Sequence, residues 1–111
     1  MKRLTAADGM EICYWIRRCG DGPSPAVLLV HGAASNHTRW SEFARRTRLG
    51  NGYDLILPDM RGNARSMCRG RLGLDVWCED LVAILEAENC NSAIVVGHSL
   101  GAQIALHLAA S

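Results

Sequence analysis

The chain has 111 residues, 12 basic and 11 acidic side chains for a net charge of +1, 49% hydrophobic and 21% charged residues. This length holds at most one domain with a modest core. The composition excludes disordered and fibrous classes, and the near-neutral charge excludes a strong field that would draw nucleic acid or an anionic membrane.

Five cysteines, Cys13, Cys19, Cys68, Cys78 and Cys90, include no C-x-x-C pair. That usage predicts reduced thiols, a cytoplasmic setting and no zinc or other metal site. The opening MKRLTAADGMEICYW carries basic residues without an apolar run behind them, and no stretch reaches eighteen apolar residues; neither a signal peptide nor a membrane span is expected. The arginine groups Arg45, Arg46, Arg48 and Arg61, Arg65, Arg69, Arg71 lack interleaved aromatics, so nucleic acid is not expected as a partner.

Residues 11–17 (EICYWIR) read as a strand, with residues 3–6 as the first arm of a hairpin. Residues 26–30 (AVLLV) are continuously apolar, as a strand covered on both faces requires. A loop of small residues follows, and Trp40, Phe43 and Ala44 put an apolar stripe on a helix over 38–46. Leu49-Gly50-Asn51-Gly52 is expected to stop it with positive φ. Residues 53–57 form the next strand, ended by Pro58, and residues 59–73 read as a loop.

Trp77, Leu81, Ile84 and Leu85 give residues 75–88 a helical period, with Asp75 as the expected cap and Asp80 read as a cap partner or solvated charge. Residues 93–96 (AIVV) form a third buried-type strand, and residues 100–110 a helix apolar enough to be covered on nearly all sides. The expected class is therefore α/β: a three-layer sandwich whose mostly parallel sheet is flanked by helices.

The densest chemical signal is Gly97-His98-Ser99-Leu100-Gly101, between the AIVV strand and that last helix. A serine on a strand-to-helix turn is forced into strained backbone angles, and the flanking glycines leave room for the close approach of strand and helix. Oγ then stands clear of the sheet at the positive end of a helix, which suits a nucleophile. His31-Gly32 directly after AVLLV suits a loop that presents a backbone donor, so the amides of Ala33 and Leu100 are expected to face an oxyanion.

The combination of His31-Gly32, an Asp59-x-Arg61-Gly62 stretch, a D-L-x-x-I-L helix and G-H-S-L-G resembles the α/β-hydrolase superfamily, its esterase, lipase and peroxidase-like members in particular. The resemblance runs from about residue 4 to the end. It implies Ser99 as nucleophile and Leu100 as one oxyanion amide. It implies that His31 shapes its loop, that His98 packs beside the elbow, and that Asp59, Arg61 and Gly62 shape the loop near the site. Ala64 departs from the glycine more usual there.

The family's acid and histidine follow the nucleophile on loops after later strands, so the chain is expected to be the front portion of the fold, without later strands, acid, base or cap, and inactive by itself. His107 stands eight residues from Ser99, about 12 Å along one helix at ~1.5 Å per residue, out of reach. His37 with Asp59 is a weak substitute for the missing pair.

The leading functional expectation is hydrolysis of an ester or related acyl bond of a small molecule through a serine acyl-enzyme, with no cofactor. Alternatives are a truncated, non-catalytic or merely binding product, and acyl transfer or cofactor-free peroxidase-like chemistry. Ser99 argues against the branches that use aspartate for epoxides or haloalkanes. A nucleotide-binding domain lacks its phosphate cradle, since neither G-x-G-x-x-G nor G-x-x-x-x-G-K-[ST] occurs. The oligomeric state has no sequence signature.

Overall fold

A computed structural model describes residues 1–20, 24–32, 35–61, 73–90 and 92–110. Five strands, β1 (Lys2–Thr5), β2 (Glu11–Arg17), β3 (Ala26–Val30), β4 (Asp54–Pro58) and β5 (Ala93–Gly97), form one sheet in the order β1-β2-β4-β3-β5. Three α-helices accompany them, α1 (Ser41–Arg46), α2 (Leu74–Ala87) and α3 (Leu100–Ala110).

The sheet is mixed, and with its helices it has the expected α/β architecture. β1 pairs antiparallel with β2 and β2 with β4, while β4–β3 and β3–β5 are parallel. The parallel pairs follow from the helical crossovers, and the antiparallel ones from the Asp8-Gly9 turn, where Gly9 takes φ 88, and from the return of β2 alongside β4.

β3 is the pivot. Its five residues are all buried, and the pleat sends them to two cores. Ala26, Leu28 and Val30 join Ile12, Tyr14, Ile56, Leu81, Ile84 and Ile104, the face covered by α2 and α3. Val27 and Leu29 join Leu55 and Leu57 on the other face, against Trp40, Ala44 and Leu49. From β3 the chain passes through α1 to β4 on one side, then through α2 to β5 on the opposite side. The strand order thus reverses at β3, and a crevice opens at the C-terminal ends of β3 and β5.

Several boundaries differ from the sequence expectation. The segment 38–46 divides into a 3₁₀ turn, His37–Trp40, capped by the Asn36 side chain on the Thr38 amide, and the short α1. Thr47, not the glycines, ends α1; a second 3₁₀ turn, Arg48–Asn51, follows, and Gly52 keeps a negative φ of −133°. β4 starts at Asp54 and takes in Pro58, because Asp54 is held at the strand start by the Cys19 amide and Arg18. α2 starts at Leu74 behind Gly73, whose φ of 148° only glycine accepts readily, so Asp75 lies inside the first turn and is not the cap. Asn89 at φ 57° ends α2, with the Cys90 amide returning to Leu85 O.

The last two elements are the least covered. β5 borders the sheet and Ile94 is 48% exposed; on α3 only Gly101 and Ile104 are buried, and Leu106 is 73% exposed. The expectation of burial on nearly all sides therefore fails: α3 packs chiefly against β5, α2 and β3, and its remaining faces stay open.

At the far side of the sheet Glu88 gathers Lys2, Arg18 and the Tyr14 hydroxyl, and Arg18 also reaches Asp54. Burial by itself raises a carboxyl, but the hydrogen bonds from Tyr14 and Lys2 and the charges of Lys2 and Arg18 outweigh it and hold Glu88 below its ordinary value. Burial and the Glu88 contact raise the Tyr14 phenol. Cys19, Cys78 and Cys90 are free thiols, and no group of three or more potential metal ligands occurs among the described residues. No described helix is long and apolar enough to cross a membrane.

Candidate functional site

Ser99 occupies the turn between β5 and α3 with φ 58°, a left-handed conformation that costs a non-glycine residue about 1–3 kcal/mol. The surroundings hold it there. A Cβ on Gly97 would stand 2.1 Å from the Gly101 carbonyl oxygen, and one on Gly101 would stand 2.4 Å from that of Val30 and 2.8 Å from that of His31. The His98 amide donates to Val30 O at 3.2 Å, locking the elbow to the end of β3. The expected glycine requirement at 97 and 101 thus has a concrete origin in backbone approach.

The Gly101 and Ala102 amides turn back onto His98 O and Ser99 O at 2.9 Å each. The Leu100 amide is the first of the 11-residue α3, at the helix's positive end, where the helix itself supplies no acceptor. Gly32 lies against the elbow: a Cβ there would be 3.1 Å from His98 O and 3.2 Å from Ser99 Cβ. Ala33 and Gly62 lie outside the described residues, as do Ala64, Arg65, Cys68, Arg69 and Arg71.

Behind this face, residues 59–61 act as a bracket. His31 is buried, its Nε2 accepting the Met60 amide at 2.9 Å while Nδ1 donates to Gly32 O at 2.7 Å. Burial lowers the His31 pKa below its ordinary 6.5. The neutral ring is the form that can accept from Met60. Asp59, buried, takes the His37 amide at 2.7 Å and bonds the His37 ring at 2.9 Å, and Trp15 stacks on that ring with centroids 3.4 Å apart.

Arg61 is buried and binds Asp80 through Nε and Nη2, both at 2.9 Å, and Asp8 through its other edge. Its own carbonyl accepts from Trp77 Nε1. Asp80 is therefore neither a cap partner nor a solvated charge, but the buried anchor of Arg61. Burial raises its carboxyl, and the Arg61 fork works against that rise.

Replacing His31 with leucine is expected to cost the whole protein about 1–3 kcal/mol, because the buried Met60 amide loses its acceptor. The effect depends on pH with a definite sign. Below 6.5 the unfolded histidine takes up a proton that the buried one refuses, so wild-type stability falls as pH drops from 6.5 toward the lowered folded value. Urea unfolding at pH 8 and pH 5.5 should show a smaller gap between variant and wild type at the lower pH. Equal stabilities at pH 8 would mean that the bond carries nothing.

His98, expected to pack beside the elbow, is instead exposed, with Arg39 Nη2 3.1 Å from its Nε2. Arg39, Ser35, Gly32, His98 and exposed Ser99 line a recess of about 260 Å³. Trp40 does not line it and packs edge-on with Phe43. His107 pairs with Asp75 at 2.6 Å. The sequence reading missed Arg39 and Ser35, which lie in a segment read as loop and the polar side of a helix; only the 3₁₀ turn brings Arg39 round to the elbow.

Comparison with known proteins places this geometry in a family. The sequence model described as "alpha/beta hydrolase fold" matches residues 25–111. The chain is 38% identical over 102 residues to a magnesium-chelatase 30 kDa subunit of Rhodobacter capsulatus, covering 88% of this chain and 34% of that protein. It is 29% identical over 102 residues to the lipase LipV of Mycobacterium tuberculosis, covering 92% and 38%. Among solved structures, an alpha/beta hydrolase from Sphaerobacter thermophilus superposes with a TM-score of 0.79 at 31% identity, over 98% of this chain and 40% of the other. The chain spans about a third of the length of these curated relatives, 34% and 38%.

Proposed function

Because the chain belongs to the α/β-hydrolase fold family, we propose that the whole protein hydrolyses an ester or related acyl bond of a small molecule through an acyl-enzyme on Ser99. The observation that carries this reading is the strained Ser99 backbone, φ 58°, held between two glycines at the positive end of α3, where the Leu100 amide begins the helix. Strain of this kind persists only where the surroundings impose it, and here it presents a hydroxyl to a recess.

In the proposed reaction Ser99 Oγ attacks the acyl carbon as a base removes its proton. The oxyanion is held by the Leu100 amide, with Ala33 as the second proposed donor, and the base returns the proton to the leaving alcohol, thiol or amine. Water then attacks the acyl-enzyme, gives its proton to the same base, and releases the carboxylic acid with Oγ–H restored. One water is consumed for each bond cleaved.

The base is assigned to the part of the whole protein beyond residue 111, on the family's order of serine, acid, histidine. The described histidines support that assignment: His31 has both nitrogens engaged, His37 is bound to Asp59, His107 to Asp75, and His98 faces Arg39. A relative named a lipase favours an acyl bond. Another is named an epoxide hydrolase, and Ser99 where such chemistry uses aspartate speaks against that substrate.

A serine-directed phosphonate tests the reading. The whole protein is expected to gain one phosphonyl group per chain by intact mass, and Ser99→Ala none. A folded wild type that takes no label, or a Ser99→Ala protein that takes as much, would overturn the assignment. The 111-residue chain alone is expected to stay unlabelled.

A further inference from the structure

We propose that Arg39 makes the Ser99 site selective for acyl substrates that carry an anionic group, a carboxylate above all, near the scissile bond. The inference rests on Ser99 as the nucleophile and adds the substrate's charge.

Arg39 and Ser99 line the same recess, and the guanidinium is fixed at its wall by Nη2 lying 3.1 Å from His98 Nε2, on the residue next to Ser99. Its partner there is an imidazole nitrogen, which accepts from Arg39 only when it carries no proton. Elsewhere Arg3, Arg18, Arg45, Arg46 and Arg61 each meet a carboxylate. Among the described residues Arg39 meets none. Arg17, which donates to Ala44 O, and Arg48 likewise meet no carboxylate among the described residues, but of these three it is Arg39 that lines the recess with the proposed nucleophile.

Its backbone is prepared as well. Arg39 sits in a 3₁₀ turn whose start is capped by Asn36, and whose first residue, His37, is tied to Asp59 through both amide and ring. A guanidinium carries five donors in a planar fork that fits a carboxylate edge-on, and the His98 contact engages only one nitrogen. The recess of about 260 Å³ has room for about eight groups of water size at ~30 Å³ each, enough for a short acyl chain ending in a carboxylate. The positive end of α3 adds to the same field.

The experiment uses two matched esters and the whole protein: the 4-nitrophenyl monoester of glutaric acid, whose far end is a carboxylate, and its methyl-capped neutral counterpart. Wild type is expected to favour the anionic ester in kcat/KM. In Arg39→Gln the ratio of anionic to neutral should drop at least tenfold, Arg39→Lys should retain part of it, and Arg39→Glu should invert it. Raising the salt to 1 M should lower the wild-type ratio, since an exposed charge is screened.

A group that merely stabilised the oxyanion would slow both esters alike, so an unchanged ratio in Arg39→Gln overturns the proposal, as does a wild type that prefers the neutral ester. Turnover that survives Ser99→Ala would overturn the nucleophile assignment. Ser99-dependent turnover with an unchanged ratio overturns only the role of Arg39.

Discussion

Gly101→Ala is expected to destabilise the whole protein by about 3 kcal/mol and to slow phosphonate labelling of Ser99 more than a hundredfold. Two effects compete at this position. Gly101 lies in the first turn of α3, where alanine is the better helix former by ~1 kcal/mol. Against that gain, its Cβ would meet Val30 O at 2.4 Å and His31 O at 2.8 Å, both backbone atoms that cannot swing aside. Overpacking of flexible side chains already costs about 1–3 kcal/mol, and rigid partners put this case at the upper end or beyond. The helix must lift away from β3, and the elbow moves with it.

Gly52→Ala is the matched control. No atom lies within 4 Å of the added carbon and φ is −133°, so its effect should stay within about 0.5 kcal/mol. Urea unfolding followed by tryptophan fluorescence reads the stability, and the labelling rate reads the site. If Gly101→Ala behaved like Gly52→Ala in both, the close approach of α3 to β3 would not be what positions Ser99.

The second large effect is expected from Arg61→Gln, which leaves Asp80 buried without its cation. Removing one partner of a buried pair costs about 3–5 kcal/mol. The lower end is expected, because the Arg61 charge is shared with the exposed Asp8, which can turn to water. The loss should depend on pH. Burial already raises the Asp80 carboxyl above 3.8, and without the opposing fork it rises further.

A folded carboxyl that binds its proton more tightly than the unfolded one gains stability, relative to the unfolded chain, as pH falls through its raised value. The gap between Arg61→Gln and wild type should therefore be widest at neutral pH and narrow toward pH 4.5. A gap that stayed constant across that range would mean that Asp80 is not the group left stranded.

The parts of this molecule legible in its sequence are those that local pattern dictates. AVLLV announces a strand buried on both faces, and Gly97, Ser99 and Gly101 announce the elbow, because strain and close approach leave so few residue choices there. The bracket behind the site was only half legible. Arg61 was recognisable as part of a motif, but its pairing with Asp8, 53 residues away, and Asp80, 19 residues away, is created by packing β2, β4 and α2 together. Asp80 on a helix read as solvated because nothing within its own turn contradicts that reading.

The misread cap has a similar origin. Asp75 has the right chemistry for an N-cap, but Gly73 at φ 148° starts the helix earlier and frees Asp75 to meet His107 on α3. The all-apolar α3 illustrates the limit of composition. Hydrophobicity says that a helix can be buried all round, but only the neighbours present decide which faces are, and Leu106 stays open.

The Glu88 cluster and the Ser99 elbow occupy different ends of the same sheet: Asp54 and Arg18 mark the N-terminal ends of the parallel strands, and Ser99 follows the C-terminal end of β5. Upkeep and chemistry are thereby separated in space. Mutations that retune the loops after β3, β4 and β5 leave the ionic anchor untouched, so this architecture can explore new substrates with its foundations unchanged.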